Sequence, residues 1–329
     1  MKHCIFICMP QDYRRRQRRD ACGSWRMQLS NWALLLVTAM TFAISLPFNN
    51  VLVTSISPIL LALLRAMVAF PAMWLLAYWR GDGLPANRKE WWTSALGGLL
   101  IVAVPFSAIA WGQQRIASGL GGVLYGSMPL MTAAFAHFLI AEERMTLHKL
   151  AGLAMGSCGL IVVLGPSALL GLGRAPLGEA VTLVAPLSYA LGTVLLKQRP
   201  PMNPLRLTAG MFLVGQIFML PAVLIETPGY HELGHLLTPR TAGLLLALAV
   251  AGTAAPAFLN YLLIVRSGAL NASLVMFIMP VFALILGAAI LGEIVRINVV
   301  VGLMGILLGS WIITRGLRGK LSKNSMTPK

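Results

Sequence analysis

The chain has 329 residues, 57% of them hydrophobic and 11% charged, with a net charge of +16 and a mean hydropathy of +0.78. Soluble domains keep about 25% charged residues at their surfaces, so this chain cannot be solvated by water on every side. That excludes a water-soluble enzyme or nucleic-acid-binding domain and makes a lipid bilayer the expected solvent.

Residues 1–31 read as a basic tail, with Lys2, the Arg14–Arg19 cluster and Arg26. Met1 to Pro10 lack the basic-then-apolar order of a cleavable signal. The paired arginines run into Asp20-Ala21-Cys22-Gly23 rather than an apolar stretch, so no twin-arginine signal is expected. Met27, two residues before Leu29-Ser30-Asn31, is a second candidate initiator. Ten apolar runs follow, at 32–53, 59–79, 91–113, 120–140, 147–164, 177–196, 207–224, 242–265, 272–291 and 297–314. Each is long enough to cross about 30 Å of hydrocarbon as a helix. The remainder is short: a linker over 166–176, rich in Gly, Pro, Ser and Ala, brief loops, and a basic C-terminal tail over 317–329.

The basic residues set the expected orientation. With both termini cytoplasmic, 21 of the 26 Lys and Arg residues lie inside, and only Arg115, Arg174, Arg240 and Arg296 lie outside. This is the positive-inside asymmetry of a membrane protein, and it accounts for the high net charge without a nucleic-acid partner. Cys4, Cys8, Cys22 and Cys158 fall in the tail and one run, so no disulfide framework is expected.

Sliding the chain along itself by 151 residues superposes Pro105 on Pro256, Arg115 on Arg266, Met128-Pro129 on Met279-Pro280 and Glu142 on Glu293. With one residue of slippage, Gly152 and Gly159 fall on Gly302 and Gly309. Five spans per unit is an odd number, so the second unit is expected upside down relative to the first. The predicted fold is therefore all-α and integral to the membrane, with ten transmembrane helices in two inverted five-helix repeats, 32–165 and 177–316. Inverted repeats are the usual architecture of secondary transporters, with the substrate site between them.

On these residues the chain resembles the ten-span EamA-like family of the drug/metabolite transporter superfamily. The resemblance rests on Arg65, on Tyr125–Pro129 leading to Ala141-Glu142-Glu143 and on Gly152 to Gly159. In the second unit it rests on Leu187-Ser188-Tyr189-Ala190 leading to Lys197, on Met279-Pro280 leading to Gly292-Glu293 and on Gly302 to Gly309. The segment Phe42 to Val51 departs from the family's small aromatic-glycine pattern. The resemblance implies a secondary transporter, an exporter of small metabolites such as amino acids or related neutral, zwitterionic or anionic compounds. It works by alternating access in the bacterial inner membrane, as a monomer, with no cofactor and no enzymatic activity.

Arg65 is the one charge well inside an apolar run, where an unpaired cation costs several kcal/mol unless it faces water or a partner. It is the first candidate for contact with an anionic group of the cargo or for gating. All ten acidic residues fall in tails, loops or span ends, so no embedded carboxylate is available to trade a proton for a cationic drug. Asn49, Asn50, Trp111, Gln113, Tyr125, Ser127, Ser188, Tyr189, Asn260, Tyr261 and Asn271 are the further candidates for the substrate pathway, because polar groups in lipid face the bundle interior. Pro105, Pro129, Pro256 and Pro280 free backbone carbonyls and are candidate hinges or kinks. The small-residue pairs Gly122/Gly126, Gly152/Gly156 and Gly305/Gly309 suit close helix packing within the monomer.

One motif points elsewhere. His231-Glu232-Leu233-Gly234-His235 matches H-E-x-x-H, the pattern of zinc proteases, in which two His on one helix face hold the metal. Here it sits in a loop beside Pro228-Gly229, and His3, His137 and His148 lie at or near the opposite side. With no third ligand at hand, no metal site is expected and the metalloprotease reading is the weaker one.

Overall fold

The computed structural model describes residues 29–53, 55–116, 118–165, 169, 172–226, 238–291 and 297–315. They are almost wholly helical, as lipid demands: with no water to bond backbone N–H and C=O groups, each segment must satisfy its own. In chain order α1 is Leu29–Leu52 and α2 is Pro58–Trp79. Helix α3 joins Arg88–Gly97, a π-helical stretch Gly98–Ala103 and Val104–Gln113. Helix α4 is broken into Ser118–Tyr125 and Met128–Leu139, and α5 is Leu147–Leu164. Then come α6 (Pro176–Gln198) and α7 (Pro204–Glu226). Helix α8 joins Pro239–Ala249, a second π-helical stretch Val250–Ala254 and Ala255–Ser267. Helix α9 is broken into Ala269–Ser273 and Val275–Leu291, and α10 is Ile297–Arg315.

Among the described residues, six helices are long and apolar enough to cross a membrane: Pro58–Trp79, Arg88–Gly112, Leu147–Leu164, Pro176–Gln198, Pro204–Ile225 and Pro239–Ser267. Four shorter apolar stretches accompany them, Ser30–Ser45, Val123–Leu139, Ala269–Phe282 and Val300–Ile313. Their starts follow from local chemistry. Proline opens α2, α6, α7 and α8, where its missing N–H removes nothing a helix needs. Asn87 Oδ1 accepts the Glu90 N–H at 3.0 Å and Glu90 Oε2 accepts the Ala86 N–H at 2.8 Å, a reciprocal cap on α3.

The two π-helical stretches lie one after the other's pattern. In α3 the Val104 N–H reaches back five residues to Leu99 O, and in α8 the Ala255 N–H reaches Val250 O. The next position in each is proline, Pro105 or Pro256, with no N–H to continue that register. Leu100 O is thereby left without a helix donor, and Ser188 Oγ of α6 donates to it at 2.9 Å.

Packing relates the helices in pairs. Helix α5 packs on α10 and α2 on α7; α3 packs on α6 as α8 packs on α1; α4 packs on α6 as α9 packs on α1. In the α5–α10 seam a Cβ added at Gly152 would sit 2.6 Å from Gly309 O, and one at Gly159 would sit 2.7 Å from Gly302 O. The early glycine of α5 meets the late glycine of α10, so the two helices run antiparallel at backbone contact.

At one end of the bundle the α2–α3, α4–α5, α6–α7 and α8–α9 connections meet. Arg206 pairs with Asp82 at 2.9 Å and with Glu90 at 3.3 Å, and Asn203 Nδ2 donates to Asp82. Gln198 Nε2 donates to Leu139 O. Glu143 accepts the N–H groups of Ala269 and Leu270 at 3.0 and 3.1 Å, capping the start of α9. Gly268, at φ 92°, makes that contact possible, since a Cβ there would collide with the Glu143 carboxylate.

Candidate functional site

Arg65 projects from α2 with its guanidinium carbon 3.7 Å from the ring centroid of Phe106. Phe106 is carried by α3 directly after Pro105, where the π-helical stretch gives way to α-helix. A guanidinium over an aromatic face gains cation–π attraction, which strengthens as water is removed. The tyrosines at 125 and 189, from the break in α4 and the middle of α6, lie within electrostatic range of the same guanidinium. Tyr189 is 2% exposed and lies close to the Asn260 side chain of α8, itself 3% exposed. Four predicted residues, Arg65, Tyr125, Tyr189 and Asn260, thus form one cluster with Phe106, contributed by α2, α3, α4, α6 and α8.

Two atoms of the cluster are buried without a hydrogen-bond partner: Arg65 Nε and Asn260 Oδ1. The salt bridges among the described residues join Arg206 to Asp82 and Glu90, and none involves Arg65. Arg65 as a whole is half-buried with its Nε enclosed, and a cation so placed without a carboxylate is costly unless an anion reaches it. The arrangement can hold a negatively charged group against the guanidinium while aromatic faces exclude water around it.

The other predicted residues go elsewhere. Ser188 caps Leu100 O, Ser127 Oγ donates to Leu124 O at 2.6 Å, and Asn271 Nδ2 donates to Ser267 O at 2.8 Å. Tyr261 accepts the Met202 N–H at 3.4 Å. Trp111 lies under the Arg115 guanidinium at 3.4 Å and its carbonyl accepts from Arg115 Nη1 at 2.8 Å. Asn49 is half-buried near the end of α1, where its carbonyl accepts the Val53 N–H. Pro105, Pro129 and Pro256 each stand at the first turn that follows a π-helical stretch or break, and Pro280 stands inside α9. The side chains of Asn50, Gln113 and Glu142, the whole of Glu293, and the His231–His235 motif lie outside the described residues. Among the described residues, no group of three or more His, Cys, Asp and Glu is placed to hold a metal.

Phe106 was not legible as a site residue, being one of 12 phenylalanines in the chain. Its position after Pro105 was the available signal. Glu143, beside the repeat-matched Glu142, likewise gained its role only from the approach of α9.

Comparison with known proteins agrees with this architecture. The EamA-like transporter family matches residues 30–165 and 176–315. A WAT1-related chloroplastic protein of Arabidopsis thaliana is 27% identical over 72% of this chain, which spans 58% of that protein's length. An uncharacterized inner membrane transporter of Escherichia coli, YedA, is 29% identical over 73% of this chain and 76% of its own. A solved crystal structure with 16% identity shares the fold, with a TM-score of 0.71 over 89% of this chain and all of that one.

Proposed function

The chain belongs to the EamA-like transporter family and is a membrane transporter of small molecules, and on that premise we propose that it is a secondary transporter, an exporter of amino acids or related neutral, zwitterionic or anionic metabolites. The observation that carries this reading is the half-buried Arg65, whose Nε is enclosed without a hydrogen-bond partner, which has no carboxylate partner among the described residues, and which stands among helices of both family-matched segments.

Alternating access follows from ten spans arranged as two inverted repeats. The paired packing supports this: exchanging α1 with α6, α2 with α7, α3 with α8, α4 with α9 and α5 with α10 leaves α5–α10 and α2–α7 as they are and turns each other pair described above into one of the set. The seam between α5 and α10 supports it too. Gly152 meets Gly309 and Gly159 meets Gly302, the reciprocal pattern that a two-fold axis imposes on a contact. Two similar halves that trade conformations expose one central site to each side in turn.

Orientation rests on charge. The end where Arg206 meets Asp82 also carries Arg80, Arg88, Lys89, Arg144, Lys149, Lys197, Arg199 and Arg266, which makes it the cytoplasmic end. Both termini then lie in the cytoplasm, and the name of the YedA relative supports an inner-membrane location. Reporters fused after Lys329 and after Gly173 are expected on opposite sides of the membrane; the same side for both would remove one span and undo the inverted repeat. Purified protein in vesicles, assayed against a metabolite panel with and without a pH gradient, tests transport itself. Failure of every amino acid and carboxylate tested would overturn the reading of the cargo.

A further inference from the structure

The two orphaned atoms of the central cluster are opposite in kind and come from different halves. Arg65 Nε is a donor on α2, within residues 30–165; Asn260 Oδ1 is an acceptor on α8, within residues 176–315. Burying either without a partner is costly, because the group has given up water and gained nothing in return. The remaining orphans among the described residues have simpler accounts. Ser94, Ser157 and Ser310 carry hydroxyls that a χ1 rotation turns toward a carbonyl of their own preceding turn, and Arg206 Nε belongs to a side chain already paired with two carboxylates. Arg65 and Asn260 have no such outlet. Their helices also meet: α2 packs against the π-helical stretch Val250–Ala254 of α8, α6 packs against α8, and Tyr189 of α6 lies near both side chains.

We propose that the cargo is bifunctional: its carboxylate is taken by Arg65 and its hydrogen-bond donor, an ammonium, by Asn260, so that the cargo itself bridges the two halves. This rests on the transporter reading and narrows it. A carboxylate lacking the donor satisfies Arg65 but leaves Asn260 Oδ1 unpaired and facing added negative charge. An amine lacking the carboxylate satisfies Asn260 and is repelled by the guanidinium. Only a compound carrying both groups removes both desolvation penalties, and a site with polar groups to satisfy rejects analogues that lack the matching group. The Phe106 ring beside the guanidinium adds apolar wall rather than a further hydrogen-bond demand, so the rest of the cargo is free to vary.

The bridge also gives the transport cycle a trigger. Ligand binding moves a conformational equilibrium only by its differential affinity for the two states. A group shared between α2 and α8 is held well only when both halves are correctly placed.

The test uses the full-length protein in vesicles with alanine, serine, leucine and phenylalanine, each with its 2-oxo acid and its decarboxylated amine. Wild type is expected to move the amino acids at least tenfold faster than either analogue. Asn260→Leu should bring the amino-acid to 2-oxo-acid ratio close to one, whereas Asn260→Asp, which can only accept, should keep amino-acid transport and reject 2-oxo acids further. Arg65→Gln should lose amino acids and 2-oxo acids together. All rates are normalised to monodisperse protein, with unfolding temperature as the folding control; if Asn260→Leu does not fold, the Asn260→Asp selectivity decides. Equal transport of amino acids and their 2-oxo acids by wild type, or unchanged selectivity in Asn260→Asp, overturns the bridge while leaving the transporter reading in place. Transport of nothing in the panel overturns the cargo reading, and the bridge with it.

Discussion

The α5–α10 seam and the Arg65 cluster solve opposite problems with opposite materials. In the seam, side chains are absent at the contact points: Gly152, Gly159, Gly302 and Gly309 let two backbones touch, and a single added methyl would lie closer to a carbonyl oxygen than van der Waals contact allows. In the cluster, side chains are large and polar, and two of their buried atoms are left unbonded. The seam has no room for change and so fixes two helices as one unit. The cluster keeps unsatisfied hydrogen-bonding capacity, the observation on which the proposed cargo site rests. In lipid, where apolar burial does not drive helices together, close packing supplies the rigidity against which the cluster can work.

The contrast breaks most visibly in the seam. Gly159→Leu forces a branched side chain against Gly302 O and Ile306 N, and overpacking of this kind costs about 1–3 kcal/mol or more. Folded, monodisperse protein should be largely lost, measured by size-exclusion profile after detergent extraction. A Gly159→Leu variant with wild-type yield and unfolding temperature would show that the seam is loose.

Arg65→Ala is expected to behave in the opposite way. Transport per folded molecule should fall at least tenfold while yield stays near wild type. Lysine should restore only part of it, because an ammonium lacks the planar fork of the guanidinium. If Arg65→Ala instead loses abundance and keeps its specific transport rate, the arginine is a packing element like the seam and the contrast fails.

Ser188→Ala sharpens the boundary between the two regions. It removes the donor to Leu100 O beside the cluster, and a single such hydrogen bond contributes about 1 kcal/mol. A fall of a few degrees in unfolding temperature is expected, with cargo selectivity unchanged. A change in selectivity would enlarge the site to include the α3–α6 contact.

The smallest effect is expected at the loop motif. His231→Ala combined with His235→Ala should leave transport and bound zinc as in wild type. Loss of activity together with loss of stoichiometric zinc would revive the hydrolase reading and displace the cluster from the centre of function.

Much of this was legible without coordinates. Hydropathy located the apolar runs within a few residues of the helices, because a bilayer leaves the chain one way to satisfy its backbone. The lack of acids inside those runs marked Arg65 as an unpaired charge. The prolines that match across 151 residues marked the places where α3 and α8 change register. Less legible were contacts between residues far apart in sequence. Phe106 under Arg65, Asn260 on Tyr189, and Glu143 on the start of α9 join residues separated by 41, 71 and 126 positions. No periodicity encodes such meetings.

The glycines show where the division falls. Sequence alone determined that Gly152 corresponds to Gly302 and Gly159 to Gly309, because repetition is a property of the string. Tertiary structure alone decided that Gly152 touches Gly309 and Gly159 touches Gly302. Antiparallel packing sets the start of α5 beside the end of α10, so each glycine meets not its own counterpart but its neighbour's.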